Sequence, residues 1–256
     1  MIKLKDLMGG ILNEGVDDPG ILKAIFLAGG PGSGKTYVVS QLFGIPKKIN
    51  ISYTGMKPVN SDTEFEFLLR KFGFETIGTK NLDIDKWPDE VFDAVTGGSD
   101  DDPSLRMYAK SLTAQRMKQY TEGRLGLIVD GTGHNYSKIV KEKNKLEKLG
   151  YDTYMIFVNT SLEVAQHRNQ ERERSLPPNM LEKSWKDVQN NMGKFQNLFG
   201  QGGFVLVDNS QYLDEEQAQK KYNGIVKKYI SKFIKNSTKN PRGKSWIKKQ
   251  RILKKR

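Results

Sequence analysis

Short apolar runs alternate along the chain with stretches in which apolar residues recur every three or four positions. The apolar runs predict strands, and the periodic stretches predict helices. The predicted strands are 21–27, 57–61, 125–130, 152–158 and 203–208. The predicted helices are 37–42, 63–71, 104–122, 137–149, 160–174 and 180–199. This alternation is typical of an α/β fold with a doubly wound, mainly parallel five-stranded sheet flanked by helices.

One main domain should account for most of the chain, because 256 residues with 36% hydrophobic content suit a single α/β core. We predict an N-terminal extension at 1–20, a core domain at 21–235 and a tail at 236–256. Within the core, residues 73–122 are predicted to form an insertion or helical region, since 73–102 show little periodicity and end in an acidic turn.

A glycine-rich segment directly follows the first predicted strand. Residues 29–36 read Gly-Gly-Pro-Gly-Ser-Gly-Lys-Thr and match G-x-x-x-x-G-K-T at every fixed position. In this motif, the P-loop, backbone N–H groups surround phosphate oxygens, the lysine reaches the β- and γ-phosphates, and the threonine hydroxyl binds Mg²⁺. The segment therefore predicts binding of ATP and Mg²⁺. The predicted nucleotide-binding residues are Gly30, Pro31, Gly32, Ser33, Gly34, Lys35, Thr36 and Tyr37.

Two acids follow predicted strands. Asp62 comes after 57–61, and Asp130 ends 125–130. Ligands of open parallel sheets bind where the strands end, so both acids should face the same crevice as the P-loop. We predict that Asp62 accepts the proton of an acceptor hydroxyl, and that Asp130 and Thr36 hold Mg²⁺. The alternatives are that Asp62 caps the following helix and that Asp130 only shapes its turn.

An arginine cluster follows the fourth predicted strand. Arg168 and Arg172 are four residues apart and share a helical face, and Arg174 lies near the end of the same helix. Guanidinium groups can neutralise the oxygens of a transferring phosphoryl group, so we predict a catalytic lid. The alternative is that Glu171 and Glu173 pair with these arginines on a solvated face.

The turn after Asp130 bears on the type of reaction. AAA-type ATPases typically carry a second carboxylate directly after this strand acid, whereas Asp130 is followed by Gly131. A kinase needs a base for a hydroxyl, and Asp62 is available for that role. The sequence therefore favours a kinase over a hydrolysing motor.

Composition excludes several other classes of site. The chain has no cysteine and two histidines, which excludes disulfides and a cysteine nucleophile and leaves little material for a zinc site. No apolar stretch approaches the roughly 20 residues of a membrane span. We expect a cytoplasmic protein with no membrane partner.

The net charge of +12 is unevenly distributed. Residues 236–256 contain nine Lys or Arg and no acid, so most of the excess positive charge lies in this tail. Such a segment predicts an arm that binds nucleic acid or another polyanion. The alternative is a solvated, partly disordered terminus.

Five pieces in this order resemble the zeta-toxin group of P-loop kinases: 29–36, Asp62, 130–132, 168–177 and 208–210. The resemblance covers about residues 20 to 212. It implies ATP-dependent phosphorylation of a hydroxyl on a small molecule or nucleotide sugar. It also implies that Asp62 is the base and that Arg168 and either Arg172 or Arg174 act at the γ-phosphate.

The chain departs from that group in two places. No arginine follows Asp62 within a few residues, and Asp130-Gly131-Thr132 stands where the group often has Glu-Gly-Thr. Bacteriophage polynucleotide kinases share the order of parts, including a strand-end Asp-x-Thr and an Arg-Asn lid start like Arg168-Asn169. A polynucleotide 5′-hydroxyl is therefore a second possible acceptor. A third hypothesis, of another class, is an ATP-binding switch that docks on nucleic acid through its tail.

Overall fold

The computed structural model describes residues 15–18, 20–43, 55–73, 95, 97–99, 103–171, 175–213 and 215–254. Within these residues, five strands form one parallel sheet in the order β2-β3-β1-β4-β5. The strands are β1 (Lys23–Ala28), β2 (Lys57–Val59), β3 (Leu127–Asp130), β4 (Asp152–Asn159) and β5 (Phe204–Asp208). The predicted five-stranded parallel sheet is confirmed.

Helices pack on both faces of this sheet. They are α1 (Lys35–Phe43), α2 (Ser61–Lys71), α3 (Leu105–Glu122), α4 (Tyr136–Lys148), α5 (Leu162–Gln170), α6 (Pro178–Phe199), α7 (Glu215–Ile225), a π-helical turn (Val226–Ile230), α8 (Ser231–Lys235) and α9 (Pro241–Lys254). The apolar pattern predicts the first six and none of the helices that follow β5. Helix α5 ends at Gln170, before the predicted end at residue 174. Among the described helices, none combines the length and apolar character that a membrane span needs.

Two predicted segments fall largely outside the described residues. Most of the insertion at 73–102 and most of the N-terminal extension at 1–20 are in this group. Both assignments stay predictions.

Alternate residues of β1 supply two hydrophobic cores. Ile25 and Leu27 belong to the core under α1, α7 and α8, whereas Ala24, Phe26 and Ala28 belong to the core under α3, α4 and α6. Successive side chains of a strand point to opposite faces, and helices cover both faces of a parallel sheet. Every position of β1 is therefore apolar or buried, and the strand directs its carboxyl end into the P-loop.

The basic C-terminal segment is packed on the domain through α9 and the residues just before it. Asp152, at the start of β4, accepts hydrogen bonds from the backbone N–H groups of Lys239 and Asn240, both at 2.8 Å. Trp246 and Ile247 of α9 pack against the core under α4 and α6. This segment thus lies at the edge where the strands begin, opposite the P-loop. The alternative of a solvated, partly disordered terminus is wrong for residues 236–254.

Candidate active site

The P-loop joins the end of β1 to the start of α1. Gly32 and Gly34 have φ angles of +74° and +76°, a region that favours glycine. A Cβ on Gly34 would lie 2.5 Å from Nδ2 of Asn209, and one on Gly32 would lie 2.4 Å from the carbonyl oxygen of Ala165. The backbone conformation and the close neighbours of the loop therefore both require these glycines.

Lys35, the first residue of α1, extends back across the loop. Its Nζ donates to the carbonyl oxygens of Gly29 at 2.6 Å and Gly30 at 3.4 Å. Thr36 follows it in the first turn of α1. Ser33 is buried, and its Oγ has no hydrogen-bond partner among the described residues. The loop thus gathers a positive charge, hydroxyl groups and a helix N-terminus, which are the groups that bind phosphates.

The other predicted nucleotide-binding residues border the same loop. Pro31 is buried, and Gly30 lies under α6, where an added Cβ would be 3.4 Å from Cδ1 of Trp185. Tyr37 is 46% exposed, and its ring lies edge-on to that of Tyr222 with 5.9 Å between the centroids. Nearly half of the Tyr37 surface is therefore accessible beside the start of α1.

Asp130 ends β3 directly beside β1, where it pairs in register with Leu27. Its Oδ2 accepts a hydrogen bond from Nδ2 of Asn60 at 2.8 Å, whereas its Oδ1 is buried without a partner in the described part of the chain. Burial raises the pKa of the Asp130 carboxyl; the charge of Lys35 opposes the rise, and that of Asp62 adds to it. The structure therefore brings Lys35, Asp62 and Asp130 to one edge of the sheet.

Asp62 lies in the first turn of α2 and does not cap this helix. The N-cap is Asn60, whose side-chain oxygen accepts a hydrogen bond from the backbone N–H of Asp62 at 2.8 Å. The alternative that Asp62 is the cap is wrong, because α2 begins at Ser61, two residues before the predicted start. The Asp62 side chain is 51% exposed, so its carboxylate is accessible to a second substrate.

Arg106 of α3 supplies a cation beside Asp62. Its Nη2 lies 2.8 Å from Oδ1 of Asp62, and its guanidinium carbon lies 5.0 Å from the ring centroid of Phe65. Its Nη1 is buried and has no hydrogen-bond partner among the residues described. A second ion pair, between Arg116 of α3 and Glu64 of α2, holds the same two helices together. Arg106 was not predicted from the sequence, because only the packing of α3 on α2 brings it to Asp62.

Arg168 of α5 lies near the P-loop. Its Nη1 donates to the backbone oxygen of Asn209 at 2.8 Å, and its guanidinium carbon lies 5.3 Å from the ring centroid of Tyr212. A Cβ on Gly34 would lie 3.6 Å from the same Nη1. The structure therefore places one arginine of the predicted lid beside the phosphate-binding motif.

The other two arginines of the predicted lid, Arg172 and Arg174, lie outside the described residues, and their roles stay predictions. Asn169 forms hydrogen bonds between the residues that precede and follow these two arginines. Its Nδ2 donates to the carbonyl oxygen of Leu176 at 2.8 Å, and its Oδ1 accepts from the backbone N–H of Leu176 at 3.0 Å. Asn169 is buried, so this double hydrogen bond fixes Leu176 against the end of α5.

Asn209, directly after β5, links three parts of the site. Its Nδ2 donates to the backbone oxygen of Ser33 at 2.8 Å, and its Oδ1 accepts from the hydroxyl of Tyr222 at 2.8 Å. Its backbone oxygen accepts from Arg168. No role for Asn209 was predicted from the sequence. Its position directly after the apolar strand β5, at the edge where ligands bind, is the signal that could have identified it.

Thr132 and His134 lie in the turn after Asp130. The backbone oxygen of Thr132 accepts a hydrogen bond from the N–H of Gly29 at 3.0 Å, and its hydroxyl contacts Nδ1 of His134. This turn therefore fixes the first residue of the P-loop against β3.

The sequence profile of the AAA domain family matches residues 25–194, from β1 into α6. The chain therefore belongs to the AAA domain family. Its parallel sheet, with the glycine-rich loop between β1 and α1, has a P-loop NTPase fold. A comparison with curated protein sequences gave no match.

Solved structures with similarity to the chain include two from bacteria. Shikimate kinase from Bacteroides thetaiotaomicron has 14% identity and a TM-score of 0.45, over 80% of this chain and 97% of the kinase chain. A structure from the PezAT chromosomal toxin–antitoxin system of Streptococcus pneumoniae has 11% identity and a TM-score of 0.45, over 84% of this chain and 87% of that chain. Similarity this low carries no argument about activity.

Proposed function

We propose that this chain is a kinase that transfers the γ-phosphoryl group of ATP to a hydroxyl of a second substrate. The observation that carries the proposal is the Asp62–Arg106 ion pair, which holds a half-exposed carboxylate near the P-loop and Asp130. A carboxylate so placed can accept the proton of an incoming hydroxyl. It therefore supplies the base that phosphoryl transfer to a hydroxyl needs.

The residues around the P-loop fit a nucleotide and a divalent cation. Lys35 would exchange its bonds to the Gly29 and Gly30 carbonyls for bonds to phosphate oxygens, and the N-terminus of α1 favours the same negative charge. Thr36 and Asp130 would hold Mg²⁺, since Oδ1 of Asp130 has no partner in the described structure. When bound, Mg²⁺ neutralises charge on the β- and γ-phosphates.

Asp62 and the arginines carry out proton transfer and charge neutralisation. Asp62 takes the proton from the acceptor hydroxyl. The hydroxyl oxygen forms a bond to the γ-phosphorus of ATP, while the bond between the γ-phosphorus and the β-phosphate oxygen breaks and releases ADP. Arg106 orients Asp62. We propose that Arg168, with Arg172 or Arg174, neutralises the transferring group. Rate enhancement then comes from positioning and charge neutralisation.

Incubation with [γ-³²P]ATP and Mg²⁺ tests this proposal. The acceptors are a 5′-hydroxyl oligonucleotide, a panel of nucleotide sugars and an extract of small metabolites, each offered separately. We expect label in one acceptor class, which would also identify the substrate. ATP binding without label in any acceptor would contradict the kinase and favour an ATP-binding switch.

Replacing Arg106 with methionine should lower the transfer rate by about 10- to 100-fold with little change in KM for ATP, because Asp62 loses the group that orients it. Steady-state kinetics measure both quantities. Arg116→Met is the matched control, because it removes the other ion pair between α2 and α3. Arg116→Met should lower the stability of the protein but leave the rate of phosphoryl transfer nearly unchanged. Equal rate losses in the two variants would contradict a positioning role for Arg106.

Replacing Asp130 with asparagine should stabilise the Mg²⁺-free protein at neutral pH and weaken binding of MgATP. Because burial raises the pKa of this carboxyl, its ionisation costs more in the folded than in the unfolded protein. Below the ordinary pKa of 3.8 both states hold the proton. As the pH rises through and above that value, the unfolded state loses its proton first, so the wild type loses stability relative to the variant.

Urea unfolding in EDTA at about pH 4 and about pH 7.5 checks this expectation. The stability advantage of Asp130→Asn should be small at the lower pH and larger at the higher pH. An advantage that is equal at both pH values, or a loss of stability at about pH 7.5, would contradict it.

A further inference from the structure

Four lysines form a stripe along the length of α4. Lys138, Lys141, Lys145 and Lys148 recur at intervals of three or four residues, so they share one face of the helix, and all four are exposed. We call them the α4 lysine stripe. Within the part of the chain that the structure describes, none of them forms a salt bridge; the acid–lysine pair on this helix is Lys143 with Glu147.

The mutual repulsion of the four lysines works against the stability of the isolated helix. Like charges three or four residues apart repel each other, and Lys138 in the first turn opposes the helix dipole, although Lys145 and Lys148 in the last turn favour it. Glu142, which borders the stripe, is half-buried and does not pair with it among the described residues. The uncompensated positive charge of the stripe is therefore available to an anionic partner.

The stripe leads from the candidate active site to the opposite edge of the sheet. Helix α4 is capped by Asn135, directly after the turn that follows Asp130. At its other end, Nη1 of Arg242 donates to the backbone oxygen of Lys148 at 3.2 Å, which adds an exposed cation from α9. A chain-like anion on the stripe would thus have one end near the P-loop.

The chemistry of the surrounding surface selects the partner. The other exposed residues of α4 are Ser137 and Asn144, so the face offers no apolar side chain for insertion into a membrane. Lysine is depleted in protein–protein interfaces, whereas it is the usual partner of nucleic-acid phosphates. The stripe spans about 15 Å, which matches about four phosphates of one strand.

We propose that the α4 lysine stripe binds the phosphate backbone of a nucleic-acid strand. The proposed contact is on α4 and is extended by Arg242 of the tail at 236–256; elsewhere in this tail Arg251 and Lys254 pair with Asp17, and Trp246 and Ile247 face the core. The same geometry makes the strand's terminal hydroxyl the acceptor for Asp62. This last step alone rests on the proposed function.

Fluorescence anisotropy of a labelled 20-nucleotide single strand, without ATP, tests the proposal. The quadruple variant Lys138→Gln/Lys141→Gln/Lys145→Gln/Lys148→Gln should bind at least about tenfold more weakly. Its slope of log affinity against log salt should fall by about three, since single strands lose about 0.7 per phosphate contact. A variant with arginine at the same four positions keeps the charge and should keep the affinity.

The matched control replaces four exposed lysines of other helices, Lys110, Lys118, Lys183 and Lys232, with glutamine. It removes the same charge and should change the affinity by less than about threefold, because no phosphate contacts are lost. An equal loss in this control, or no binding by the wild type, would overturn the proposal. The proposal would also be overturned if the stripe variant bound the oligonucleotide as well as the wild type but no longer bound phosphatidylserine vesicles.

Transfer of phosphate to the same oligonucleotide is a separate readout. Loss of oligonucleotide binding in the stripe variant supports the binding surface even where the wild type transfers no label. A stripe variant that loses oligonucleotide binding and still transfers phosphate to a small acceptor supports both the nucleic-acid-binding surface on α4 and the kinase activity. The failure of one proposal is thereby distinguishable from the failure of the other.

Discussion

Replacing Asp62 with asparagine should lower the rate of phosphoryl transfer by about 10²- to 10⁴-fold, the usual contribution of a general base. The amide has nearly the same shape as the carboxylate but cannot accept the proton of the acceptor hydroxyl. Affinity for ATP should stay within about twofold, because Asp62 pairs with Arg106 and not with a P-loop residue. Single-turnover kinetics with saturating MgATP, together with calorimetric titration of ATP, measure the two quantities.

Glu66→Gln is the matched control for this variant. Glu66 is an exposed acid further along α2, and its replacement removes the same charge from the same helix. It should leave the transfer rate within about twofold, because it does not touch the reacting atoms. Comparable rates for Asp62→Asn and the wild type would contradict the assignment of Asp62 as the base.

Replacing Asp152 with alanine should lower the free energy of unfolding by about 3–5 kcal/mol, the usual effect of breaking a buried ion pair. Asp152 lies 2.8 Å from Nζ of Lys23, and the lysine side chain is 2% exposed. The substitution leaves this ammonium buried without its counter-ion. It also removes the acceptor for the backbone N–H groups of Lys239 and Asn240, which tie α9 to the sheet.

Urea unfolding followed by circular dichroism checks this expectation. The double variant Lys23→Met/Asp152→Ala should recover part of the loss, because it removes the buried charge as well as its partner. Asp17→Ala is the matched control, since Asp17 also contacts the C-terminal segment, through ion pairs with Arg251 and Lys254, but is exposed. Its effect should be much smaller. Equal losses for Asp17→Ala and Asp152→Ala would contradict the account.

Most of the sheet and the P-loop could be predicted, because their signals are local. A strand buried on both faces has to be apolar along its length, and the turn geometry at Gly32 and Gly34 admits few residues other than glycine. Helix α9 could not be predicted in the same way. Its many lysines and arginines obscure the two residues, Trp246 and Ile247, that pack it on the core.

Both candidate acids could be predicted from their positions relative to the strands. Asp130 ends β3, Asp62 follows the end of β2 by three residues, and parallel strands end at one edge of the sheet. Arg106, Asn169 and Asn209 act through contacts that depend on how distant helices and loops pack. No arginine follows Asp62 within a few residues of the sequence, and the cation that pairs with it, Arg106, comes from α3.

The balance of products tests the central claim, that this P-loop site is a kinase, most directly. ³¹P NMR of a reaction with MgATP and an acceptor mixture measures ADP, inorganic phosphate and phosphorylated acceptor in one sample. A kinase should form ADP and phosphorylated acceptor in equal amounts, with little inorganic phosphate. Equal amounts of ADP and inorganic phosphate, whether or not an acceptor is present, would contradict the kinase and show a hydrolysing ATPase.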